Sequence, residues 1–292
     1  DDYYGTSFTG ASREKLIALN TAIDLATSSY EPLVEVMKQY RYDQFVQKRG
    51  CELLQRKLAK IKHKKEKKSI EEGGGGENDK SYDLDKQAVN VILDAIQTFP
   101  RNKVVQREGC LCACRLAQRA QSVLIHLAAG GGVRSLLRGL QLFARDQELQ
   151  AIGLGLLGNP WIIDDRIVRV DYDTCIDAVV RAMIIFTDEQ QIQGLGALAL
   201  GNLVLKNTPN ATRLVSGVNG RGDGVAVILS AMERFPLAPV VVSAGCWALG
   251  VVASKSEQIA AVIQQRGGLL SCQKAMDFFA SVETVRNNAQ FA

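Results

Sequence analysis

An aromatic residue recurs along the chain at nearly constant intervals, and this period constrains the fold more than any other feature. The residues are Tyr40, Phe99, Phe143, Phe186, Phe235 and Phe279, separated by 59, 44, 43, 49 and 44 positions. A fixed period of about 40 to 47 residues is typical of solenoid units that contain two or three helices. Only 6% of the residues are aromatic, which suits closely packed helices better than a β-sandwich. The chain is therefore predicted to be all-α.

Further columns of residues accompany the aromatic position. The segments before it, such as 182–186 and 231–235, are predicted to be helix ends. Fourteen positions after the aromatic residue stands a leucine in four repeats, and these leucines are predicted to lie in the core: Leu54, Leu157, Leu200 and Leu249. Seven positions after the aromatic residue stands a glutamine in four repeats: Gln47, Gln106, Gln150 and Gln193.

A glycine column stands ten positions after the aromatic residue. Its members are Gly50, Gly109, Gly153, Gly196 and Gly245. A glycine inside a helix costs about 1 kcal/mol relative to alanine. We therefore expect the close approach of a neighbouring helix to compensate this cost, and larger residues at these positions to push repeats apart.

These columns resemble the armadillo repeat family. The segment from Gly196 to Leu203 is similar to the third-helix signature of that family, and 125–133 and 262–269 are similar to its link between repeats. The resemblance covers about residues 31 to 292, and it implies a right-handed α-solenoid of about six three-helix repeats, the last one incomplete. Residues 1–30 are then interpreted as an N-terminal capping helix region. A fold does not by itself define a function.

A basic insertion lengthens the first interval. The run from Arg56 to Lys68 holds eight Lys or Arg residues and one Glu, whereas the whole chain carries a net charge of only +4. A Gly-rich polar stretch follows, and we predict a disordered insertion at about 62–84. Such a run can contact phosphates, acidic proteins or, peripherally, anionic lipid heads. We favour a solvated helix extension, because the run lacks interleaved aromatic residues.

The chemistry of an enzyme is not apparent in the sequence. There are only two histidines, His63 and His126, and they suggest no catalytic dyad. Cys110 and Cys114 share a helix face, but small buried thiols explain them better than a metal site. We therefore predict no catalytic residue, no cofactor, no metal and no specific nucleic acid partner. The odd number of cysteines favours a reducing, cytoplasmic location, and we predict no transmembrane helix.

The resemblance also implies a binding surface, because third helices in this family line a concave groove. In this chain the Trp column of the family would carry Trp247, and the Asn column would carry Asn159 and Asn202. Family members that bind nuclear import cargo have regular series of both residues. No repeat of this chain combines both, which argues against such cargo. The N-terminal end of the groove would offer cations suited to an acidic or phosphorylated segment or to salt bridges between repeats. These cations are Lys48, Arg56, Arg107 and Arg115.

The sequence therefore predicts a non-catalytic scaffold or adaptor that binds an extended or helical partner segment. Two alternatives remain open. One is a structural subunit of a large multiprotein assembly, which would aggregate or co-purify with fixed partners. The other is an armadillo-type regulator of a small GTPase, which would change nucleotide release.

Overall fold

The computed structural model describes residues 10–25, 29–60, 80–159, 171–217 and 223–292. This part of the chain is all-α, as predicted, with sixteen helices and no β-strand among the described residues. The helices are α1 (Gly10–Leu25), α2 (Glu31–Gln39), α3 (Gln44–Lys60), α4 (Lys80–Thr98), α5 (Lys103–Ala117), α6 (Gln121–Ala129), α7 (Gly132–Leu142), α8 (Gln147–Leu157), α9 (Tyr172–Ile185), α10 (Gln190–Lys206), α11 (Pro209–Ser216), α12 (Gly224–Arg234), α13 (Pro239–Ala253), α14 (Glu257–Gln265), α15 (Gly268–Phe278) and α16 (Glu283–Phe291).

The helices belong to two compact units, Asp1–Ser135 and Leu136–Ala292, which we call the N-terminal and C-terminal units. In the N-terminal unit, α3 packs most extensively against α5. In the C-terminal unit, α13 lies between α10 and α16 and packs extensively against both. Each unit is therefore held together by contacts between successive helices that follow an aromatic column residue. The predicted core positions are buried, with at most 1% exposure: Leu54, Leu157, Leu200 and Leu249.

The aromatic column marks helix ends, as predicted. Each member directly follows the last residue of a helix, and its N–H donates to the carbonyl four residues earlier at 2.9–3.1 Å. The next helix then begins after a short turn, and in several repeats a polar side chain caps it. Asn102 accepts from the N–H groups of Val104 and Val105, and Asp146 accepts from that of Leu149.

The glutamine column joins the two helices on either side of this turn. In all four repeats that carry it, the side-chain Nε2 donates to two carbonyls, that of the aromatic residue and that of the residue three positions before it. For Gln193 the acceptors are Met183 at 2.8 Å and Phe186 at 2.9 Å. Gln47, Gln106 and Gln150 repeat the arrangement, with distances of 2.8–3.3 Å. We call this arrangement the glutamine clasp.

The glycine column explains how the two helices approach closely enough for the clasp. A Cβ at Gly196 would lie 2.5 Å from the Met183 side chain, and one at Gly153 would lie 2.5 Å from that of Leu140. The expected close approach is therefore present. It occurs between the two helices of one repeat, so a larger residue would separate those helices rather than neighbouring repeats.

Two of the predicted glycine turns depend on a left-handed backbone. Gly131 and Gly267 have φ of 84° and 87°, a region that suits glycine, and each lies just before a helix, α7 or α15. At the N-terminal end, α1 falls within the region predicted as a capping helix. Most of the predicted insertion at 62–84 falls on residues 61–79, which lie outside the described part of the chain, and α4 begins at Lys80.

A buried polar network stabilises the N-terminal unit. Asp85 on α4 is 4% exposed, accepts from the Tyr30 hydroxyl, and pairs with Arg119 Nε at 3.0 Å. Burial, together with the hydrogen bond to Asp85, raises the pKa of Tyr30, so this hydroxyl stays protonated and donates. The three side chains therefore connect the start of α2, α4 and the turn after α5.

Candidate functional site

Trp247 lies in a cleft on the C-terminal unit, among residues of α10, α13 and α16. The cleft has a volume of about 480 Å³, within the range of pockets that bind small molecules or side chains. We call it the Trp247 cleft. Its principal lining residues are Leu198, Val240, Ser243, Trp247, Thr284 and Asn288.

Local sequence explains how α13 builds the floor of the cleft. Pro239 occupies the first turn of the helix, where a missing N–H costs no hydrogen bond. From there Val240, Ser243 and Trp247 follow at intervals of three and four residues, which places them on one helix face. The indole of Trp247 packs against Gly201 of α10, where a Cβ atom would collide with the ring. Glycine at 201 is therefore what admits the tryptophan.

The lining of the cleft is uncharged and mostly apolar. Val240 is 66% exposed and Leu198 is 38% exposed, while Trp247 is half-buried. Asn288 donates from Nδ2 to Ser243, at 2.9 Å to Oγ and 3.2 Å to the backbone carbonyl. No ionisable side chain is among the described residues that line the cleft. Such a site can accommodate aliphatic side chains and offer hydroxyl and amide groups to a backbone.

The two asparagines predicted for the groove are placed differently from Trp247. Asn202 is 6% exposed, and its side-chain amide donates to the carbonyl of Gly158, so it connects α10 with the end of α8 rather than facing solvent. Asn159 is half-buried, and its N–H donates to the carbonyl of Leu156 at 3.0 Å. Neither residue lines the Trp247 cleft.

The four predicted cations lie on α3 and α5 of the N-terminal unit, two helices that pack together. Lys48 and Arg56 on α3 are exposed, whereas Arg107 and Arg115 on α5 are half-buried. We call these residues the α3/α5 basic surface. A carboxylate also lies at this surface, because Arg107 Nη2 is 3.2 Å from Glu108 Oε1.

One cation of this surface has an unusual environment. The Nε atom of Arg115 is buried, and no hydrogen-bond acceptor of the described residues reaches it. A buried donor without a partner is uncommon in folded proteins and costs free energy. The α3/α5 basic surface therefore combines two exposed cations, Lys48 and Arg56, with the half-buried side chains of Arg107 and Arg115.

The cysteines lie in the helix interfaces as free thiols. Cys112 Sγ lies 3.4 Å from the carbonyl of Cys51, at the contact between α5 and α3. Burial raises the pKa of Cys51, Cys114 and Cys175 to about 12, so these thiols are weak nucleophiles at neutral pH. Cys272 differs, because a hydrogen bond from Cys246 lowers its pKa despite burial.

Sequence reasoning found Trp247 but missed most of the cleft around it. Val240 and Ser243 could have been found from their spacing with Trp247 on one uncharged helix face. Asn288 and Thr284 carried no such signal, because they belong to a different helix, α16, that only tertiary packing brings beside α13. Leu198 likewise belongs to a different helix, α10.

Among the described residues, no helix has both the length and the hydropathy required to cross a membrane. No protein-family model matches the chain, and no curated protein is significantly similar to it.

Proposed function

We propose that this chain is an armadillo-like, right-handed α-solenoid that acts as a non-catalytic scaffold or adaptor. The glutamine clasp supports the repeat assignment, because one hydrogen-bonding arrangement recurs in four successive periods of the sequence. A structural motif that recurs at a fixed period is typical of stacked helical repeats. The free thiols support a reducing compartment such as the cytoplasm as part of this proposal.

The observation that carries the binding role is the Trp247 cleft. It exposes Val240 and Leu198 beside a half-buried indole, with no ionisable lining residue among those described. Burying apolar surface is favourable by about 25 cal/mol per Å², whereas a charged side chain would lose hydration there without a partner. The preferred ligand is therefore an extended or helical segment of another protein whose contacting side chains are aliphatic or aromatic.

The α3/α5 basic surface supports a second contact by the same scaffold. Lys48 and Arg56 are exposed on α3, and Arg115 is half-buried on α5, which packs against α3. Guanidinium groups bind carboxylates and phosphates through charge-assisted hydrogen bonds. This surface would bind an acidic or phosphorylated segment, and its binding would weaken as salt is added.

Selection of peptides from a random displayed library tests the proposal and does not require the natural partner to be identified. We expect one class of recovered peptides to carry uncharged, apolar cores and to lose about tenfold or more of its affinity for Val240→Asp, because the carboxylate would be desolvated on binding. Leu237→Asp is the matched control, since Leu237 is 67% exposed against 66% for Val240 but does not line the cleft.

Two outcomes would contradict a role for the cleft. One is that the recovered peptides whose affinity falls with Val240→Asp are predominantly charged at their contacting positions. The other is an equal loss of affinity in the Leu237→Asp and Val240→Asp variants, which would show that binding occurs elsewhere.

A structural subunit of a large assembly is the second candidate, and one observation favours it. Large apolar side chains of α15 and α16 are strongly exposed, with Leu269 and Leu270 at 58%, Phe278 at 66% and Phe291 at 55%. Exposed apolar patches commonly mark protein interfaces. Size-exclusion chromatography separates the candidates, because an adaptor would elute as a stable monomer and an assembly subunit would aggregate or co-elute with fixed partners.

A further inference from the structure

A second concavity of the C-terminal unit lies between α12 and α15, apart from the Trp247 cleft, and has a volume of about 590 Å³. We call it the α12/α15 groove. Apolar residues form most of its lining, and charged residues of both signs stand at its rim. The lining includes Met232, Glu233, Val242, Leu270, Lys274 and Phe278.

The same position in an earlier repeat is almost closed. Between α7 and α9 the cavity measures about 10 Å³, and it is lined by residues at equivalent offsets from the aromatic column. Leu140 corresponds to Met232, and Gln150 corresponds to Val242. The α12/α15 groove is therefore an opened version of a junction that the chain closes elsewhere.

The two junctions differ in the glutamine clasp. Gln150 donates from Nε2 to the carbonyl of Leu140 at 2.9 Å. In the α12/α15 groove, Val242 replaces the glutamine and has no donor to offer the carbonyl of Met232. The residue four positions later, Pro236, has no N–H to donate to this carbonyl. Among the described residues, no N–H group donates to it.

The groove thus combines an unpaired backbone acceptor with apolar walls and two carboxylates, those of Glu233 and Asp277. Glu233 follows Met232 at the C-terminal end of α12, where the helix dipole also favours a cation. The carboxylate of Asp277 already accepts from Gln273 Nε2 at 3.2 Å, and the described lining also holds two cations, Lys274 and Arg266. Arg266 is already paired with Asp223.

We propose that the α12/α15 groove binds an arginine side chain of a partner protein, flanked there by apolar residues. The guanidinium would donate to the Met232 carbonyl, where other repeats place a glutamine amide, and would pair with Glu233. Arginine presents several N–H donors in a planar fork, so it can satisfy a carbonyl and a carboxylate together. Its aliphatic stem and the flanking residues would pack against Leu270 and Phe278, which are 58% and 66% exposed.

Methyl NMR of the full 292-residue chain, labelled with ¹³C at the methionine methyl groups, tests this proposal. The chain has four methionines, Met37, Met183, Met232 and Met276, so each signal can be assigned by substitution. The probes are two blocked tripeptides, acetyl-leucine-arginine-leucine amide and the same peptide with glutamate in place of arginine. We expect the arginine peptide to shift the Met232 signal and to leave that of Met183, whose junction Gln193 closes.

Two variants make the test specific. Val242→Gln restores the clasp, so we expect it to raise the melting temperature and to abolish the Met232 shift. Glu233→Gln leaves the groove open but removes the carboxylate, so we expect the affinity for the arginine peptide to fall severalfold. Should Val242→Gln fail to fold, the Glu233→Gln result decides the proposal.

Three results would overturn the proposal. These are an equal shift of Met232 with the glutamate peptide, an equal shift of Met183 with the arginine peptide, and unchanged binding of the arginine peptide to both variants. Because the α12/α15 groove and the Trp247 cleft have different lining residues, failure of this test leaves the Val240→Asp test of the proposed function unaffected.

Discussion

Replacing Gln193 by leucine removes the glutamine clasp between α9 and α10 while keeping the size of the side chain. The Met183 carbonyl then loses a 2.8 Å bond, and no other N–H of the described residues donates to it. The Phe186 carbonyl loses a 2.9 Å bond but still accepts from Glu189. An unpaired buried acceptor costs about 1–3 kcal/mol and a lost hydrogen bond about 1 kcal/mol. Burial of the leucine offsets about 1 kcal/mol of this.

The expected net effect of Gln193→Leu is a loss of about 2 kcal/mol in the free energy of unfolding. Urea denaturation followed by circular dichroism measures it. Gln191→Leu is the control, because Gln191 lies in the first turn of the same helix but is exposed; we expect a change within about 0.5 kcal/mol. Equal effects of the two substitutions would refute the reasoning, since the buried clasp would then contribute no more than a surface glutamine.

Three further predictions follow from the packing. Gly196→Ala should lower the melting temperature, because its Cβ would collide with Met183, whereas Gly155→Ala should leave it unchanged or raise it, because a Cβ there meets nothing within 4 Å. Asp85→Asn should cost about 3 kcal/mol in the free energy of unfolding, while the exposed Asp83→Asn should cost little. Cys51 is 0% exposed and burial raises its pKa, so a disulfide reagent at pH 8 should label it about tenfold or more slowly in the native chain than in the urea-unfolded chain; equal labelling rates in the two states would contradict this.

The sequence predicted those features that a single helix or a fixed offset determines. The aromatic and glycine columns, the helix ends and the core leucines all follow from local spacing, and the structure confirms them. The glutamine column was visible, but its role was not, because its acceptors lie on the preceding helix. The sequence also placed Asn202 on an exposed stripe, where tertiary packing against the end of α8 buries it.

The binding surfaces were harder to predict, for the same physical reason. The Trp247 cleft needs residues of α16 beside α13, and these are separated by more than 30 positions. The α12/α15 groove depends on a difference between repeats, the replacement of glutamine by Val242. The effect of this replacement can be inferred only after the hydrogen bonds of the glutamine have been observed in another repeat.

The short reach of the glutamine clasp has a consequence for the order in which the chain folds. Each of its bonds connects residues only seven or ten positions apart, so its loop closes early and at little cost in chain entropy. Chains dominated by such local contacts fold quickly. We therefore expect helix pairs such as α9 and α10 to form as early kinetic units, while α12 and α13, which lack the clasp, should dock later and exchange their amide protons sooner in the native state.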